Sequence, residues 1–308
     1  MNALRRMLAD YLRLRRSLGY KLRRSEKLLN QFLNHLDVAR AKTITTQHAL
    51  AWACQPNGCN NNWRSQRLSI VRGFASYLQN IDVAVEVPPR ELLPARPRRA
   101  SPYLYSEQEF ASLIEAAKTL SSPLRVATYQ TLIGLLAVTG LRVGEAINLN
   151  RDDFDAKHGV LLIRHAKFNK TREIPLHRST VAALSRYLAR PDRQRLRTKS
   201  AAMLVSPAGT RLLYCNVHWT FQRLVRRVGL APRTGSCRPR IHDTRHSFAV
   251  QTLIDAYRDG ADAQHRLSLL STYLGHSDPA RTYWYLSASP ELLGRVAERL
   301  EQRRGDKP

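Results

Sequence analysis

Apolar residues recur at helical spacing along most of this chain. Leu4, Leu8, Tyr11, Leu12 and Leu18 fall near a 3.6-residue period, and Leu28, Leu29, Phe32, Leu33 and Leu36 repeat it more cleanly. The opening segment therefore predicts two amphipathic helices. A third is predicted over Thr46 to Ala53, and a fourth from about Asn62 to Leu78, with Leu68, Val71, Phe74, Ala75 and Leu78 on its buried side. Together they form a small all-helical domain over residues 1–87. Five prolines stand between Pro88 and Pro102, with the basic run Arg96-Pro-Arg98-Arg99 among them. Such a segment cannot continue a helix and reads as an extended linker, 88–102.

A second domain, 103–308, begins with Ser106-Glu-Gln-Glu109, which has the form of a capping box. Helical patterning resumes through Thr128 to Ala137 and again from Val143 to Leu149. Val160-Leu-Leu-Ile163 and Glu173-Ile-Pro-Leu176 then flank the polar stretch His165 to Arg172, the pattern of two short strands joined by a basic turn. Mostly helical segments follow to Leu300, and the polar tail 301–308 is expected to be loose. The predicted fold class is mainly α, of α+β type: a four-helix N-terminal domain, then a larger and mostly helical domain holding a small antiparallel β-sheet.

Charge narrows the set of partners. The 308 residues include 50 Lys and Arg against 24 Asp and Glu, a formal net charge of +26. That much self-repulsion is best tolerated beside a polyanion, and nucleic acid is the leading candidate. On the first two helices Arg5, Arg6, Arg13, Arg15, Arg16, Lys21, Arg23, Arg24 and Lys27 face only Asp10 and Glu26 before residue 30. Arg13, Arg15, Arg16, Lys21, Arg23 and Arg24, with Arg98 and Arg99 of the linker and Lys170 of the basic turn, are the expected phosphate contacts. No apolar stretch approaches the roughly 18 residues that span a bilayer, and residues 1–37 interleave charge with apolar positions, unlike a signal peptide. A cytoplasmic protein with no membrane partner is expected. Cys54, Cys59, Cys215 and Cys237 are too sparse for a secreted disulfide framework. Cys54-Gln-Pro-Asn-Gly-Cys59 has no second Cys or His pair at zinc-finger spacing, so no metal is expected there.

The candidate chemistry lies in the second domain. Thr139-Gly-Leu-Arg142-Val-Gly-Glu145 is followed by Lys167-Phe-Asn-Lys170-Thr-Arg172, His242-Asp-Thr-Arg245-His246, Leu274-Gly-His276 and, nine positions after His276, Tyr285. This ordered set resembles the tyrosine recombinase (phage integrase) family, whose motifs read T-G-x-R-x-x-E, a hairpin lysine, H-x-x-R, L-G-H and a late tyrosine. All five elements occur here in that order. Thr244 departs from the family, which usually carries an apolar residue at that place, and should alter packing more than chemistry.

The resemblance implies a two-domain DNA recombinase: a core-binding domain, a mobile linker, and a catalytic domain. It implies that Tyr285 attacks a phosphodiester and that Arg142 and Arg245 hold the two non-bridging oxygens. Arginine suits that task because its planar fork donates paired hydrogen bonds and keeps its charge. Two such cations can supply electrostatically what bound metals supply elsewhere, so neither metal nor cofactor is expected. An unperturbed phenol ionises near pH 10, and His242 is the expected assistant to Tyr285. His276 would hydrogen-bond the phosphate, and Lys167 would protonate the departing 5′ oxygen, with Lys170 as the alternative. Glu145 is expected to orient basic groups, and His246 to support the site without touching the phosphate.

Taken singly, each residue has a plainer use. A lone arginine is often a surface ion-pair residue, and Tyr285 beside Tyr283 and Trp284 could be core. Tyr283 competes as nucleophile, although its seven-residue step from His276 does not match the family. A non-cutting DNA-binding protein of the same fold stays open as a different class, as does a type IB topoisomerase. A metal-dependent transposase would need paired carboxylates that are not evident. The expected partners are double-stranded DNA bearing a recombination site and further copies of the chain, as a tetramer on two sites. Accessory recombinases or a directionality factor stay open. Leu292, Leu293, Val296 and Leu300 have helical spacing and would dock either on a neighbouring subunit or on their own domain.

Overall fold

The computed structural model describes residues 2–55, 57–94, 101–164, 171–196, 200–259, 263–275 and 293–294. The chain separates into two compact units, 1–99 and 100–308.

The first unit is built from four helices: α1 (Asn2–Ser17), α2 (Arg23–Val38), α3 (Thr46–Cys54) and α4 (Asn61–Gln79). Thr45 caps α3 by accepting from the His48 amide, and Asn60 caps α4 by accepting from the Trp63 amide. Each cap satisfies an amide that the first helical turn leaves without a partner. Leu4, Leu8, Leu12, Leu29, Phe32, Leu36, Trp52, Val71, Phe74 and Leu78 are buried in one core. Leu18 is not part of it. The residue lies beyond the end of α1 and is 61% exposed, because the helix stops at Ser17 and Gly19 turns the chain with φ +86°. Arg67 is buried against the Trp52 ring and donates to the Trp52 carbonyl at 2.7 Å. Pro88 and Pro89 accept hydrogen bonds from Arg72, at 2.7 Å each, so the start of the proline segment is fastened to this unit.

The second unit has its own core. α5 (Glu107–Ala116) starts with the reciprocal Ser106 and Glu109 capping box that its sequence spells out. α6 (Pro123–Thr139) carries a continuous apolar surface and ends at Gly140, whose φ of +57° closes the helix. α7 (Val143–Asn148) follows within three residues. The sheet has three antiparallel strands in sequential order: β1 (Phe154–Asp155), β2 (Val160–Ile163) and β3 (Arg172–Pro175). Leu161 pairs with Ile174 and Ile163 with Arg172, so β3 begins one residue earlier than the apolar pattern suggests. Leu161, Ile163 and Ile174 are buried together with the apolar side of α6.

After the sheet come α8 (Arg178–Leu188), the short α9 (Pro191–Gln194), α10 (Tyr214–Val228), α11 (Asp243–Arg258) and α12 (Ala263–Leu274). α11 and α12 share the apolar cluster Ala249, Val250, Leu253, Ile254, Leu267, Leu270 and Leu274. The segment just after the expected linker is packed into this unit. Tyr103 and Tyr105 are buried in the core, and the Tyr105 amide donates to Ser247 Oγ on α11 at 2.8 Å. The mainly helical architecture with a small antiparallel sheet agrees with the sequence; β1, only two residues long, has no periodicity to reveal it.

Candidate active site

The site is assembled where the start of α7, the start of β3, the first turns of α11 and the end of α12 meet. Arg142 directly precedes α7, and its backbone amide donates to Glu145 Oε2 at 3.1 Å. Its guanidinium donates through Nη1 to Glu145 Oε1 at 2.8 Å. Glu145 is thus both the first-turn carboxylate of α7, favoured there by the helix dipole, and the holder of the arginine three residues before it.

Glu145 has a second cation. Arg172 Nη2 donates to Oε2 at 2.8 Å and Nη1 to Oε1 at 3.2 Å, a two-pronged pairing across 27 positions. Burial pushes the Glu145 carboxyl upward. The hydrogen bonds and charge of Arg172, joined by Arg142, outweigh it and hold the group at about 2. The carboxylate therefore remains ionised at any ordinary pH, and two cations are held on it.

Arg245 is set by backbone carbonyls. It is buried, donating through Nη1 to the Gly140 carbonyl at 2.9 Å and through Nη2 to the Leu274 carbonyl at 2.6 Å. These contacts fix the plane of its guanidinium between the end of α6 and the end of α12. Gly140 is required at its place. A side chain there would bring Cβ within 2.4 Å of Phe248 Cδ1, and the positive φ alone disfavours other residues.

His242, Arg245 and His246 stand at i, i+3 and i+4 at the start of α11, on one helix face. The two imidazoles meet edge to face with centroids 5.4 Å apart. His242 keeps an exposed edge, yet dense packing around it is the main influence lowering its pKa below the usual histidine value. The Arg245, Arg142 and Arg240 charges lower it further, while Asp243 opposes them. The imidazole is accordingly neutral near pH 7 and able to accept a proton. Asp243 itself is fully buried and engaged by Arg240, at 2.9 Å from Nε and 3.0 Å from Nη2. Thr244 is buried, with its hydroxyl donating to the Ile241 carbonyl at 2.8 Å, so the polar residue is satisfied within the turn.

Arg172 and Tyr273 are members of this cluster that the motif reading gave no role. Arg172 also donates from Nε to the Tyr273 carbonyl at 2.9 Å. Tyr273 stacks on Phe248 with centroids 5.6 Å apart, and burial pushes its phenol up to about 12 despite the opposing charges of Arg172 and Arg245. That makes it a poor nucleophile. Lys167, Lys170, His276 and Tyr285 lie outside the described residues, as do Arg98 and Arg99.

Of the expected phosphate contacts on the first unit, Arg13, Arg16, Lys21, Arg23 and Arg24 are exposed and Arg15 is half-buried. Arg13 pairs with Asp10 at 3.2 Å and Arg16 with Glu26 at 2.5 Å, while Arg15 and Arg24 lie over the Tyr20 and Trp63 rings. Exposed pairs of this kind are weak, and phosphate can compete for the cations. A second basic surface, missed in the sequence, runs along α10. Trp219 is 55% exposed with the Arg223 guanidinium 4.8 Å from its ring centroid, and Arg226 and Arg227 are exposed on the same helix. The helical spacing of α10 would have shown it, since Val217, Phe221, Leu224 and Val225 form the opposite, buried stripe.

A helical enzyme scaffold that draws arginines, a carboxylate and histidines from distant chain segments to one point defines the class, and the comparisons supply the family. Residues 104–291 match the model of the phage integrase family. The chain is 43% identical over its full length, and the full length of the relative, to the Sinorhizobium fredii protein y4rB, whose name describes an integrase/recombinase. It is 31% identical to the tyrosine recombinase XerD of Mycobacterium tuberculosis, over 75% of this chain and 71% of that one. In fold it is similar to the Tn1549 transposon integrase solved with a circular-intermediate DNA, with TM-score 0.66, 15% identity, and coverage of 96% of this chain and 99% of that one. It is similar also to the XerH site-specific recombinase bound to difH, with TM-score 0.61, 19% identity, and coverage of 84% and 73%. The chain belongs to the phage integrase family of tyrosine recombinases, and site-specific recombination is the activity that membership carries.

Proposed function

We propose that this protein cuts and rejoins DNA at specific sites through a 3′-phosphotyrosyl intermediate, in the service of integration, excision or transposition of a mobile element. The reading rests on one observation above all: Arg142 and Arg245, more than a hundred positions apart, are each fixed by protein acceptors within a single cluster that also contains His242. The full-length match to an integrase/recombinase supports a mobile-element role over relaxation of supercoils.

In this mechanism the Tyr285 phenolic oxygen attacks the scissile phosphorus and its proton passes to a base, with His242 assisting. The bond from phosphorus to the 5′ oxygen breaks, Lys167 protonates that departing oxygen to give a free 5′ hydroxyl, and the 3′ phosphate stays on the tyrosine. Arg142, Arg245 and His276 neutralise the non-bridging oxygens as charge builds. Glu145 and His246 support these groups without touching the phosphate. The phosphodiester energy is retained in the phosphotyrosine, and attack by a free 5′ hydroxyl of a second strand reverses the chemistry.

The N-terminal helical unit and the α10 face would hold double-stranded DNA, the former through its arginines and Lys21, the latter through Arg223, Arg226 and Trp219. Strand exchange requires several copies of the chain on two DNA sites, and a tetramer is the proposed assembly. Incubation with element-end DNA nicked beside the cut point, with and without EDTA, tests the reading. A denaturant-resistant protein–DNA complex that survives EDTA supports it, and absence of such a complex on DNA shown to be bound refutes it.

A further inference from the structure

We propose that Arg172 is a positioning residue that sets the two phosphate-clamping arginines, Arg142 and Arg245, relative to one another. The inference rests on the recombinase reading above and goes beyond it, since Arg172 itself would not touch DNA. Its side chain is 13% exposed and makes three hydrogen bonds to two residues at once. Nη1 and Nη2 grip both oxygens of Glu145, the same carboxylate that holds Arg142. Nε donates to the Tyr273 carbonyl, while the next carbonyl, Leu274, takes Arg245. Consecutive carbonyls at the end of α12 are therefore shared between Arg172 and Arg245.

Gly275 completes the arrangement. Its φ is +67°, and a Cβ added there would come to 3.1 Å from Arg172 Nη1 and 3.3 Å from Cζ. The glycine lets the backbone lie against the flat guanidinium, which seats the end of α12 on Arg172. One planar fork thus joins β3, α7 and α12. Lysine could keep the charge but not three fixed directions.

A double-mutant cycle on the rate of covalent complex formation with the full-length chain at saturating DNA tests this. Arg172→Ala is expected to slow the wild-type protein by on the order of 10- to 100-fold, with DNA affinity nearly unchanged, as expected when reacting groups are displaced by an ångström or less. In an Arg142→Lys background, which has lost the fork that Arg172 supports, the same change is expected to cost less than about threefold. Arg172→Lys should restore only part of the rate. A role confined to fold stability would lower the active fraction equally in both backgrounds, so equal penalties overturn the proposal, as does no penalty at all. If the alanine variant does not fold, Arg172→Lys carries the same comparison. Failure of the wild-type chain to form any complex on bound DNA would sink the recombinase reading instead.

Discussion

Glu145 and Arg172 face each other through two hydrogen bonds, 2.8 and 3.2 Å long, and Arg142 Nη1 shares Glu145 Oε1 with Arg172. Two cations on one carboxylate form a charge balance that depends on the carboxylate staying ionised. Glu145→Gln leaves Arg142 and Arg172 without a counter-charge and with fewer acceptors. We expect a loss of a few kcal/mol, roughly the scale for removing one partner of a buried pair. Thermal or urea unfolding measures the stability, and covalent complex formation should slow more than DNA binding weakens.

The same pair makes a pH prediction. The folded-state value of Glu145, about 2, lies below its unfolded reference of 4.5, so in this window the unfolded chain binds more protons. Its contribution, of the order of 3 kcal/mol by the usual conversion, is fully present above about pH 4.5 and is lost as pH falls toward 2. Urea unfolding between pH 5 and pH 3 should show a steeper loss of stability for the wild type than for Glu145→Gln. Parallel curves would mean that the carboxylate is not held by its arginines.

His242 titrates in the opposite sense to a histidine that gains a counter-ion. Its folded value is lowered below 6.5, so its stabilising contribution is present above that pH and is lost as pH falls through the folded value. At limiting DNA, the rate of covalent complex formation should fall with acidity through a midpoint below 6.5, because that regime reports the free protein. His242→Gln should remove this limb of the profile. An unchanged profile would assign the limb to another group.

Gly140 tests how firmly Arg245 is seated. Gly140→Ala places a methyl group against Phe248 and forces an L residue into left-handed backbone. A destabilisation of about 2 kcal/mol or more is expected. Phe248→Ala should relieve part of it, so the double variant is less unstable than the sum of the single losses. Strict additivity in unfolding experiments would show that the clash does not arise.

The α10 surface makes a prediction about salt. Arg223→Ala and Arg226→Ala should each weaken DNA binding and lower the slope of log affinity against log salt by about 0.9 for each phosphate that is no longer neutralised. The rate of covalent complex formation at saturating DNA should stay the same. Unchanged affinity and slope would remove α10 from the DNA-binding surface.

What the chain revealed in advance was what depends on local pattern. The four N-terminal helices, the Ser106 capping box and the strands around the hairpin are periodic or capped, and local spacing defines them. Glu145 was singled out by the motif resemblance, which has an acidic residue three positions after the arginine. Leu18 misled because it continues a helical period beyond the point where Gly19 ends the helix. Arg172 was hidden: its partners lie 27 and 101 positions away, and nothing in a basic turn distinguishes an arginine bound for a buried carboxylate from one bound for solvent. Tyr103 and Tyr105 fall at the start of the expected second domain, but the bond from the Tyr105 amide to Ser247, 142 positions on, was not legible. Contacts across long separations are set by tertiary packing, which periodicity does not encode.

Tyr285 is the proposed nucleophile, and mapping the adduct identifies the attacking residue. The covalent complex would be trapped on nicked DNA, digested with nuclease and trypsin, and the peptide spanning residues 282–295 sequenced by mass spectrometry. That peptide contains both Tyr283 and Tyr285. A phosphodeoxynucleotide is expected on Tyr285 and is expected to be absent from the Tyr285→Phe protein. A remnant on Tyr283, or a complex that persists in Tyr285→Phe, would contradict it.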